Sequence, residues 1–383
     1  MPILSAEDFI TCVVDRWGFE EHTLEMHGLM ASPKNDESYA VSPVKSRVSS
    51  GDILIDPFRV ENLSYDGLDF TIGGQIYKSD RLLSEQVSIE DLEQLVEEGG
   101  ARQVVKKQGE KIIFEVGTVY YVLSDEEIKV PNDLQLVVDS KSTLGRLGCL
   151  CHEATHPKYF PEAHHLIGVI RPYVFPLIAT IGESELFQAV LRYQNSSHMT
   201  REEILNGDGI KVSVNDERKE IGDYILEDKL ALHFSTHKAY VAKPTSLIPG
   251  PIELEVQEDT KPNWKDYFEE IKGDSKILLE PGRFYLLGTK ENISFGPVCG
   301  RLTRDYGGHL TGLWSQFAGI IHAGFNGEIT LECMTNAKRE IKEGDLAGTI
   351  EIDKLVGCAN IKGKGSYLGQ KSPRLPKVFK LES

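Results

Sequence analysis

The feature that most constrains this chain is an internal repeat of strand-forming segments. Residues 117–123 (GTVYYVL) correspond to residues 282–288 (GRFYLLG), and an isoleucine followed by a proline stands downstream of each copy. Further on, residues 176–183 correspond to residues 338–345, and each copy then enters another apolar run. Landmarks that recur in the same order indicate a duplicated unit. The sequence therefore predicts two homologous domains, in preference to two unrelated β domains.

Short runs of alternating apolar and polar residues dominate both copies, with glycine-containing turns between them. Many short strands with such turns are typical of a sandwich, a jelly roll or a distorted barrel, so we predict an all-β fold. Two short helices are expected within it. Leu92, Leu95 and Val96 have helical spacing within residues 88–99, and residues 202–205 form a second, charged helix.

The predicted organisation has three parts. Residues 1–50 form an N-terminal helical and irregular extension, in which Phe9, Val13 and Trp17 have helical spacing after a cap at Ser5. Residues 51–197 form the first β domain. Residues 216–383 form the second, which ends in a tail rich in glycine, lysine and proline. The charged segment between these two domains marks their boundary.

The charge of the chain narrows the class of partner. Its 383 residues carry a formal net charge of −17, which repels nucleic acid and anionic membranes at long range. No apolar run approaches the roughly 20 residues that a membrane helix needs, and six scattered cysteines suit a reducing compartment. We therefore expect a cytoplasmic protein that binds neither nucleic acid nor membrane, and that binds a nucleotide only where cations cluster.

Cations and hydroxyl groups cluster in residues 139–148 (DSKSTLGRLG), which follow an apolar run. Hydroxyl and backbone N–H groups donate to phosphate oxygens, while Lys141 and Arg146 offset the phosphate charge. The same composition also fits an ordinary turn with solvated charges. The stretch is therefore a candidate phosphate site only in combination with the rest of the chain.

A competing pattern lies at residues 152–156 (HEATH), which match the H-E-x-x-H signature of zinc hydrolases. That signature requires a helix, so that both imidazoles share one face. Gly148 and Pro157 flank the segment closely, and its surroundings alternate as strands do. We therefore predict no zinc site here.

Four motifs, in this order, resemble the dCTP deaminase and dUTPase superfamily, and most closely its two-domain dCTP deaminase members. The first is residues 65–70 (YDGLDF), with Asp69 in the acidic position. The second and most specific is residues 141–148 (KSTLGRLG), which are similar to the family motif RSSLARLG. The others are residues 324–332 (GFNGEITLE), which end on Glu332, and residues 367–373 (YLGQKSP), which resemble the tail motif Y-x-G-Q-x-G-P.

The resemblance implies a dUTPase-like distorted β-barrel or jelly-roll fold for each repeat, and assembly in threes with sites at subunit interfaces. We therefore expect a homotrimer, or a multiple of trimeric rings of domains. It also implies zinc-independent hydrolysis of a pyrimidine deoxynucleoside triphosphate, dCTP, to dUTP and ammonia, with Mg²⁺ carried by the triphosphate. By resemblance, Glu332 is the general acid and base, and Ser142 and Arg146 hold the substrate and the attacking water. The implied substrate-binding residues are Lys141, Thr143, Asp69, Tyr367 and Gln370.

Departures from the family pattern leave alternatives open. In the first repeat, residues 166–172 (LIGVIRP) have Val169 or Ile170 where a glutamate is expected, and Glu162 is a weaker substitute nearby. In the second repeat, residues 300–306 (GRLTRDY) replace the Ser142 motif. Either the repeats pool their residues across an interface, or the chain is a non-catalytic nucleotide-binding relative. A dUTP diphosphatase is a further alternative, although the hairpin residues 321–325 (IHAGF) lack the aspartate that this chemistry uses.

Overall fold

The computed structural model of the chain describes residues 3–4, 54–57, 68–83, 87–130, 134–154, 160–193, 198–207, 209–273, 275–296, 298–303, 313–315, 317–356 and 367–381. The predicted N-terminal helix lies outside these residues, as does the beginning of the first motif at residues 65–67. At the N-terminus, Ile3–Leu4 form a strand.

Strands dominate the described residues, which confirms the predicted all-β class. Those of the first half are β1 (Ile3–Leu4), β2 (Leu54–Asp56), β3 (Leu68–Ser79), β4 (Ala101–Val105), β5 (Lys111–Phe114), β6 (Val119–Val130), β7 (Leu134–Ser140), β8 (Cys149–Glu153), β9 (Phe160–Pro172), β10 (Leu177–Thr180) and β11 (Glu185–Tyr193). Those of the second half are β12 (Ile210–Val214), β13 (Glu217–Lys219), β14 (Ile225–Leu226), β15 (Lys229–Ala242), β16 (Ile252–Glu253), β17 (Phe268–Lys272), β18 (Lys276–Leu279), β19 (Phe284–Phe295), β20 (Val298–Thr303), β21 (Leu313–Ser315), β22 (Ile320–Ile321), β23 (Asn326–Thr335), β24 (Arg339–Lys342) and β25 (Leu346–Val356).

The two halves repeat one pattern of strand pairing. In the first, β6 pairs with β3 and β9, while β11 pairs with β3 and β7. In the second, β19 pairs with β15 and β23, while β25 pairs with β15 and β20. All these pairs are antiparallel, so each half is a distorted barrel in which five long strands follow one order. This confirms the predicted tandem dUTPase-like fold.

The turns that made the repeat visible in the sequence lie at equivalent places. Gly117 and Gly282 precede β6 and β19 with φ angles of 79° and 72°. Gly182 and Gly344 precede β11 and β25 with φ angles of 75° and 83°. Side chains with a Cβ rarely adopt this left-handed region, so each turn keeps its glycine in both copies.

Short helices interrupt the strands: α1 (Ile89–Glu97), α2 (Ser142–Arg146) and α3 (Arg201–Asn206). Single 3₁₀ turns lie at Ile221–Tyr224, Thr245–Leu247, Glu258–Thr260 and Trp264–Asp266. Ser88 begins α1 with a capping box to Asp91, and Leu92 and Leu95 are buried beneath it. The two helices predicted within the all-β fold, α1 and α3, are therefore present.

The two halves are joined by strands and by the C-terminal tail. β1 lies between β11 and β25, where Ile3 stands opposite Arg192 and Leu355. β16 of the second half pairs in parallel with β10 of the first. Near its end the tail carries Phe379, whose buried ring lies 5.1 Å from that of Tyr267. The predicted domain boundaries remain predictions, because these contacts cross between the halves.

Candidate active site

Helix α2 carries the hydroxyl and cation motif and begins directly after β7. Leu144 and Leu147 are buried in the core of the first half, which fixes the orientation of the helix. Gly148 follows with a φ angle of 66°, and a Cβ built there would lie 2.1 Å from the Val174 side chain. Only glycine fits this turn. The motif is therefore held rigidly at the edge of the first barrel.

Strand β23 of the second barrel brings Glu332 to the same place. Glu332 pairs with Leu286, the third residue of β19. In the first half, the third residue of β6 is Tyr121, and it pairs with Val169. Val169 is thus the counterpart of Glu332, which decides between the two positions left open by the sequence. Glu162 is exposed on β9 and does not replace the missing carboxylate.

One cavity, about 270 Å³ in volume, lies between α2 and β23. All eight site residues predicted from the sequence line it: Asp69, Lys141, Ser142, Thr143, Arg146, Glu332, Tyr367 and Gln370. Its wall also contains apolar side chains, including Ile320, Ile329 and Phe325. The front and back halves of this chain therefore contribute to a single site, and the interface that holds it lies within one chain.

Arg146 is buried in the wall of this cavity. Its guanidinium lies 3.5 Å from the centre of the Tyr367 ring and donates to Gln370 Oε1 at 3.3 and 3.4 Å and to the Arg374 carbonyl at 2.9 Å. Burial lowers the pKa of Arg146, while Tyr367 and Glu332 oppose that effect. A guanidinium held flat in this way presents its remaining donors in a fixed direction.

Glu332 is 3% exposed and faces Arg146 and the Ala318 backbone. Burial raises the pKa of its carboxyl to about 8, although Arg146 and two backbone N–H groups act in the opposite direction. Within the described part of the chain, neither Glu332 Oε2 nor Arg146 Nε has a hydrogen-bond partner. Buried polar atoms are seldom left unsatisfied, so these two atoms are available to a bound molecule.

The two elements approach closely because residue 145 is glycine. A Cβ built on Gly145 would lie 2.8 Å from Ala318 Cβ and 3.3 Å from Glu332 Cδ. Even alanine would therefore push the helix away from the carboxyl. This contact sets the distance between α2 and Glu332.

Lys141, which the sequence predicts to offset phosphate charge, is paired with two carboxylates of the protein. Its ammonium donates to Asp69 Oδ2 at 2.6 Å and also pairs with Glu185. Burial works to lower the pKa of Lys141, but the two carboxylates outweigh it and raise the pKa. Burial also raises the pKa of Asp69, and Lys141 opposes that. The lysine charge is thus already balanced within the protein, and its role in substrate binding remains a prediction.

The C-terminal tail, residues 367–381, forms a strap over the cavity. Gln370 donates to the Glu328 carbonyl and to Thr330 Oγ1 at 3.2 Å, while the backbone of Glu328 donates to the Gln370 carbonyl at 2.9 Å. The Tyr367 hydroxyl lies 3.2 Å from Thr143 Oγ1. The strap therefore contacts both β23 and α2, and closes the cavity from one side.

Sequence reasoning missed several residues in the cavity wall. His322 Nε2 lies 3.0 Å from Gln188 Oε1, and Gln188 Nε2 donates to the Ser140 carbonyl at 2.9 Å. Ala318 and Lys377 also line the cavity. No periodicity or spacing identifies these side chains, because they come from separate strands and loops. In the sequence, the segment with His322 is distinctive only because it lacks the aspartate of a diphosphatase.

The competing zinc pattern is not supported by the local structure. His152 and Glu153 lie in strand β8, where successive side chains point to opposite faces, and Thr155 and His156 lie outside the described residues. Among the described residues, no group of three or more His, Cys, Asp or Glu side chains has a geometry that would hold a metal ion. Likewise, none of the helices found there has the length and apolar character needed to cross a membrane.

The arrangement provides the groups needed for acid and base chemistry on a polar ring. A buried carboxyl with a raised pKa can donate a proton at neutral pH and later accept one. The Ser142 hydroxyl can orient a water molecule, and Arg146 supplies a permanent positive charge beside it. The apolar wall fits a flat base, and the strap limits the access of solvent.

Both halves of the chain match a known protein family. The dCTP deaminase-like family model matches residues 41–164 and 248–352, more than half of the chain and once in each half. A curated relative, the dUMP-forming dCTP deaminase of Streptomyces griseus, is 32% identical over an alignment of 119 residues that covers 29% of this chain. This chain covers 62% of that relative's length. The structure of 2′-deoxycytidine 5′-triphosphate deaminase from Agrobacterium tumefaciens has a TM-score of 0.66 at 16% identity, over 82% of this chain and 97% of that one. At that identity the likeness shows the fold.

Proposed function

This chain belongs to the dCTP deaminase-like family, and we propose that the cavity between its two halves deaminates dCTP to dUTP and ammonia. The observation that carries the proposal is the meeting of Ser142 and Arg146, from the first half, with Glu332, from the second, around one cavity. Each half lacks one of these parts, so a site that is complete only when they are combined supports pooling over loss of function.

The proposed reaction follows from the protonation state of Glu332. Because burial raises the pKa of this carboxyl to about 8, it begins the cycle protonated and donates to N3 of the cytosine ring. Ser142 orients the water whose oxygen bonds to C4, and Glu332 takes up the proton that this water loses. The same proton then passes to the exocyclic amine. As the C4–N bond breaks and ammonia leaves, the new C4 hydroxyl gives its proton to Glu332, which forms the C4 carbonyl and returns the acid to its protonated state, while the ring keeps the proton on N3.

The remaining parts of the proposal concern the substrate and the assembly. We propose that Mg²⁺ arrives with the triphosphate and that Thr143, Tyr367 and Gln370 contact the nucleotide, since all three line the cavity. Catalysis needs no zinc in this scheme, because Glu332 performs the proton transfers. The homotrimer and the cytoplasmic location remain predictions from the sequence.

One assay separates the candidate functions. The protein is incubated with dCTP and Mg²⁺, ammonia is measured enzymatically, and nucleotides are resolved by chromatography. We expect equal amounts of ammonia and dUTP. A stoichiometric yield of dUMP would instead indicate the dUMP-forming reaction named for the Streptomyces relative. Pyrophosphate from dUTP without ammonia from dCTP would support a diphosphatase, and no product from either would support a nucleotide-binding relative.

Variants then test the assignment of residues. Glu332→Gln should abolish turnover while the protein still binds dUTP, whereas Ser142→Ala and Arg146→Ala should impair turnover and binding together. Glu340→Gln is the matched control, because Glu340 lies on strand β24 of the same half and pairs at the surface with Lys276. An active Glu332→Gln protein would refute this placement of the acid.

A further inference from the structure

Asp139, at the end of strand β7, has no role in the mechanism above. Its side chain is buried, and its two oxygens accept different backbone N–H groups: Oδ1 from Ser140 at 2.8 Å and Oδ2 from Gly319 at 2.9 Å. Backbone donors of this kind favour an ionised carboxylate. Since Gly319 belongs to the second half of the chain, this carboxylate joins the two halves beside the cavity.

The loop that Asp139 holds, residues 317–319, contacts the proposed catalytic groups. The Phe317 ring packs edge-on against Tyr173 at 5.8 Å, and the Gly319 carbonyl accepts the Leu302 N–H at 2.9 Å. Ala318, between them, occupies the space that a Cβ on residue 145 would need. The loop is therefore fixed at both ends, and Ala318, at its centre, packs between α2 and Glu332.

We propose that Asp139 is a positioning residue for deamination, whose carboxylate holds the 317–319 loop so that the Ala318 backbone lies against both α2 and the Glu332 carboxyl. The inference rests on the proposed function, because the group that it positions is the proposed acid. A displaced loop would alter the distance between the acid and the water held by α2. Small displacements of this kind are costly to catalysis.

The charge of Asp139 acts on the same carboxyl. The groups that act on Glu332 are Arg146 from α2, the Ala318 N–H from the loop and Asp139 from β7, and the buried thiol of Cys333 follows Glu332 in the same strand. Burial has the largest effect on the pKa of Glu332, Arg146 and the N–H lower that pKa, and Asp139 raises it. Removing the Asp139 charge therefore lowers the pKa of Glu332, so that its proton is lost at lower pH.

Two substitutions separate the geometric effect from the charge effect. Gly319→Ala displaces the loop without a change of charge, because the added Cβ would lie 3.0 Å from Asp139 Oδ2. Asp139→Asn removes the charge and leaves one acceptor oxygen for two backbone N–H groups, so its NH₂ faces the N–H of either Ser140 or Gly319 and weakens the hold on the loop. The matched control is Asp345→Asn, since Asp345 also accepts a backbone N–H, that of Lys342 at 2.8 Å, in an exposed turn.

The measurements are the rate of ammonia release from dCTP between pH 5 and 9 and the melting temperature of each variant. We expect kcat to fall about tenfold or more in both Asp139→Asn and Gly319→Ala, with KM within about threefold of wild type. The alkaline limb of the kcat profile should move to lower pH in Asp139→Asn alone. Asp345→Asn should behave as wild type.

An independent measurement follows the protonation of the Glu332 carboxyl directly. The carboxyl signal of Glu332 is titrated by NMR in protein labelled with ¹³C-glutamate, and its absence in Glu332→Gln assigns it. We expect Asp139→Asn to titrate at lower pH than wild type. A folded Asp139→Asn protein with wild-type kcat, or with an unshifted Glu332 titration, overturns the proposal. Wild-type protein that releases no ammonia overturns the proposed function instead, and the NMR titration still tests Asp139.

Discussion

Glu332→Gln is expected to stabilise the fold while it abolishes turnover. The carboxyl is almost fully buried, and burial raises its pKa from 4.5 to about 8 despite the nearby Arg146. Over that range of pH, folding places a proton on a group that is ionised in the unfolded chain. A raised pKa in the folded state therefore gives stability that is complete below pH 4.5 and is lost as the pH rises through about 8. Glutamine is neutral throughout and avoids this loss.

The magnitude follows from the difference between the two pKa values. At pH 7 the gap to the reference value is 7 − 4.5 = 2.5 units, and each unit corresponds to about 1.4 kcal/mol, so the cost is about 3 kcal/mol. Part of this gain in stability is lost in the variant, because the NH₂ of the glutamine amide and the Arg146 guanidinium are both hydrogen-bond donors and cannot bond to each other. We expect a net gain of about 2 kcal/mol at pH 7, close to zero at pH 4.5 and largest above pH 8.

Urea unfolding followed by tryptophan fluorescence, at fixed protein concentration and at pH 5, 6, 7 and 8, measures this gain. The control is Glu203→Gln on α3, where the Thr200 backbone N–H and Lys354 lower the pKa of the carboxyl to about 2. Because folding lowers the pKa of Glu203, its ionised carboxylate stabilises the fold as the pH rises. The Glu203→Gln substitution should therefore give no increase in the free energy of unfolding at higher pH. If Glu332→Gln is less stable than wild type at pH 7, or if its gain does not change with pH, the carboxyl is not held protonated and the reasoning fails.

Further substitutions test the strap and the junction between the halves. Arg146→Lys should lower kcat/KM for dCTP at least about 100-fold, because an ammonium cannot lie flat on Tyr367 while donating to the strap; steady-state kinetics close to wild type would contradict this. Phe379→Ala should cost about 3 kcal/mol of unfolding free energy and raise KM, since the ring anchors the strap, and an unchanged KM would show that the anchor is unimportant. His198, whose pKa is raised to about 9 by Asp353 and a second carboxylate, stabilises the fold below pH 6.5. The destabilisation caused by His198→Asn should therefore disappear as the pH rises through 9, and a loss independent of pH in urea titrations would argue against it.

Much of the fold was predictable because its turns and caps are local. The glycines at residues 117 and 282 and the capping box of Ser88 depend on neighbours a few residues away, and such patterns recur visibly in a duplicated chain. The contacts between the halves, in contrast, join residues that are far apart in the sequence. Strand β16 has two residues and pairs with β10, far away in the sequence, so no periodicity could have revealed it.

In the site, too, the local motifs were predictable from the sequence and the contacts between the halves were not. The motif residues were identified from the sequence, and they do line one cavity, but their spacing could not show which repeat faces which. The sequence predicts that Lys141 offsets phosphate charge, and it does not show that Lys141 pairs with Asp69 and Glu185. Glu185 lies where the register between β3 and β11 shifts. A one-residue shift of register changes the face on which a side chain lies, and no local pattern encodes that shift.

The loss of half a site from each repeat has a physical reason. Thr71 and His233 occupy equivalent positions, and each donates its backbone N–H to a buried glutamate, Glu126 at 3.0 Å and Glu291 at 2.9 Å. These carboxylates stabilise both barrels and are kept in both.

A carboxylate in the place of Val169 has no such benefit. Val169 is 1% exposed and packs in an apolar cluster with Tyr77 and Leu123. An ionisable group there would carry the burial cost calculated for Glu332. That cost is tolerated in the second barrel because Glu332 faces α2 and Arg146 across the cavity. Once one interface between the halves performs the reaction, an apolar residue at the other position stabilises the fold, so the division of the motifs between the repeats is compatible with an active enzyme.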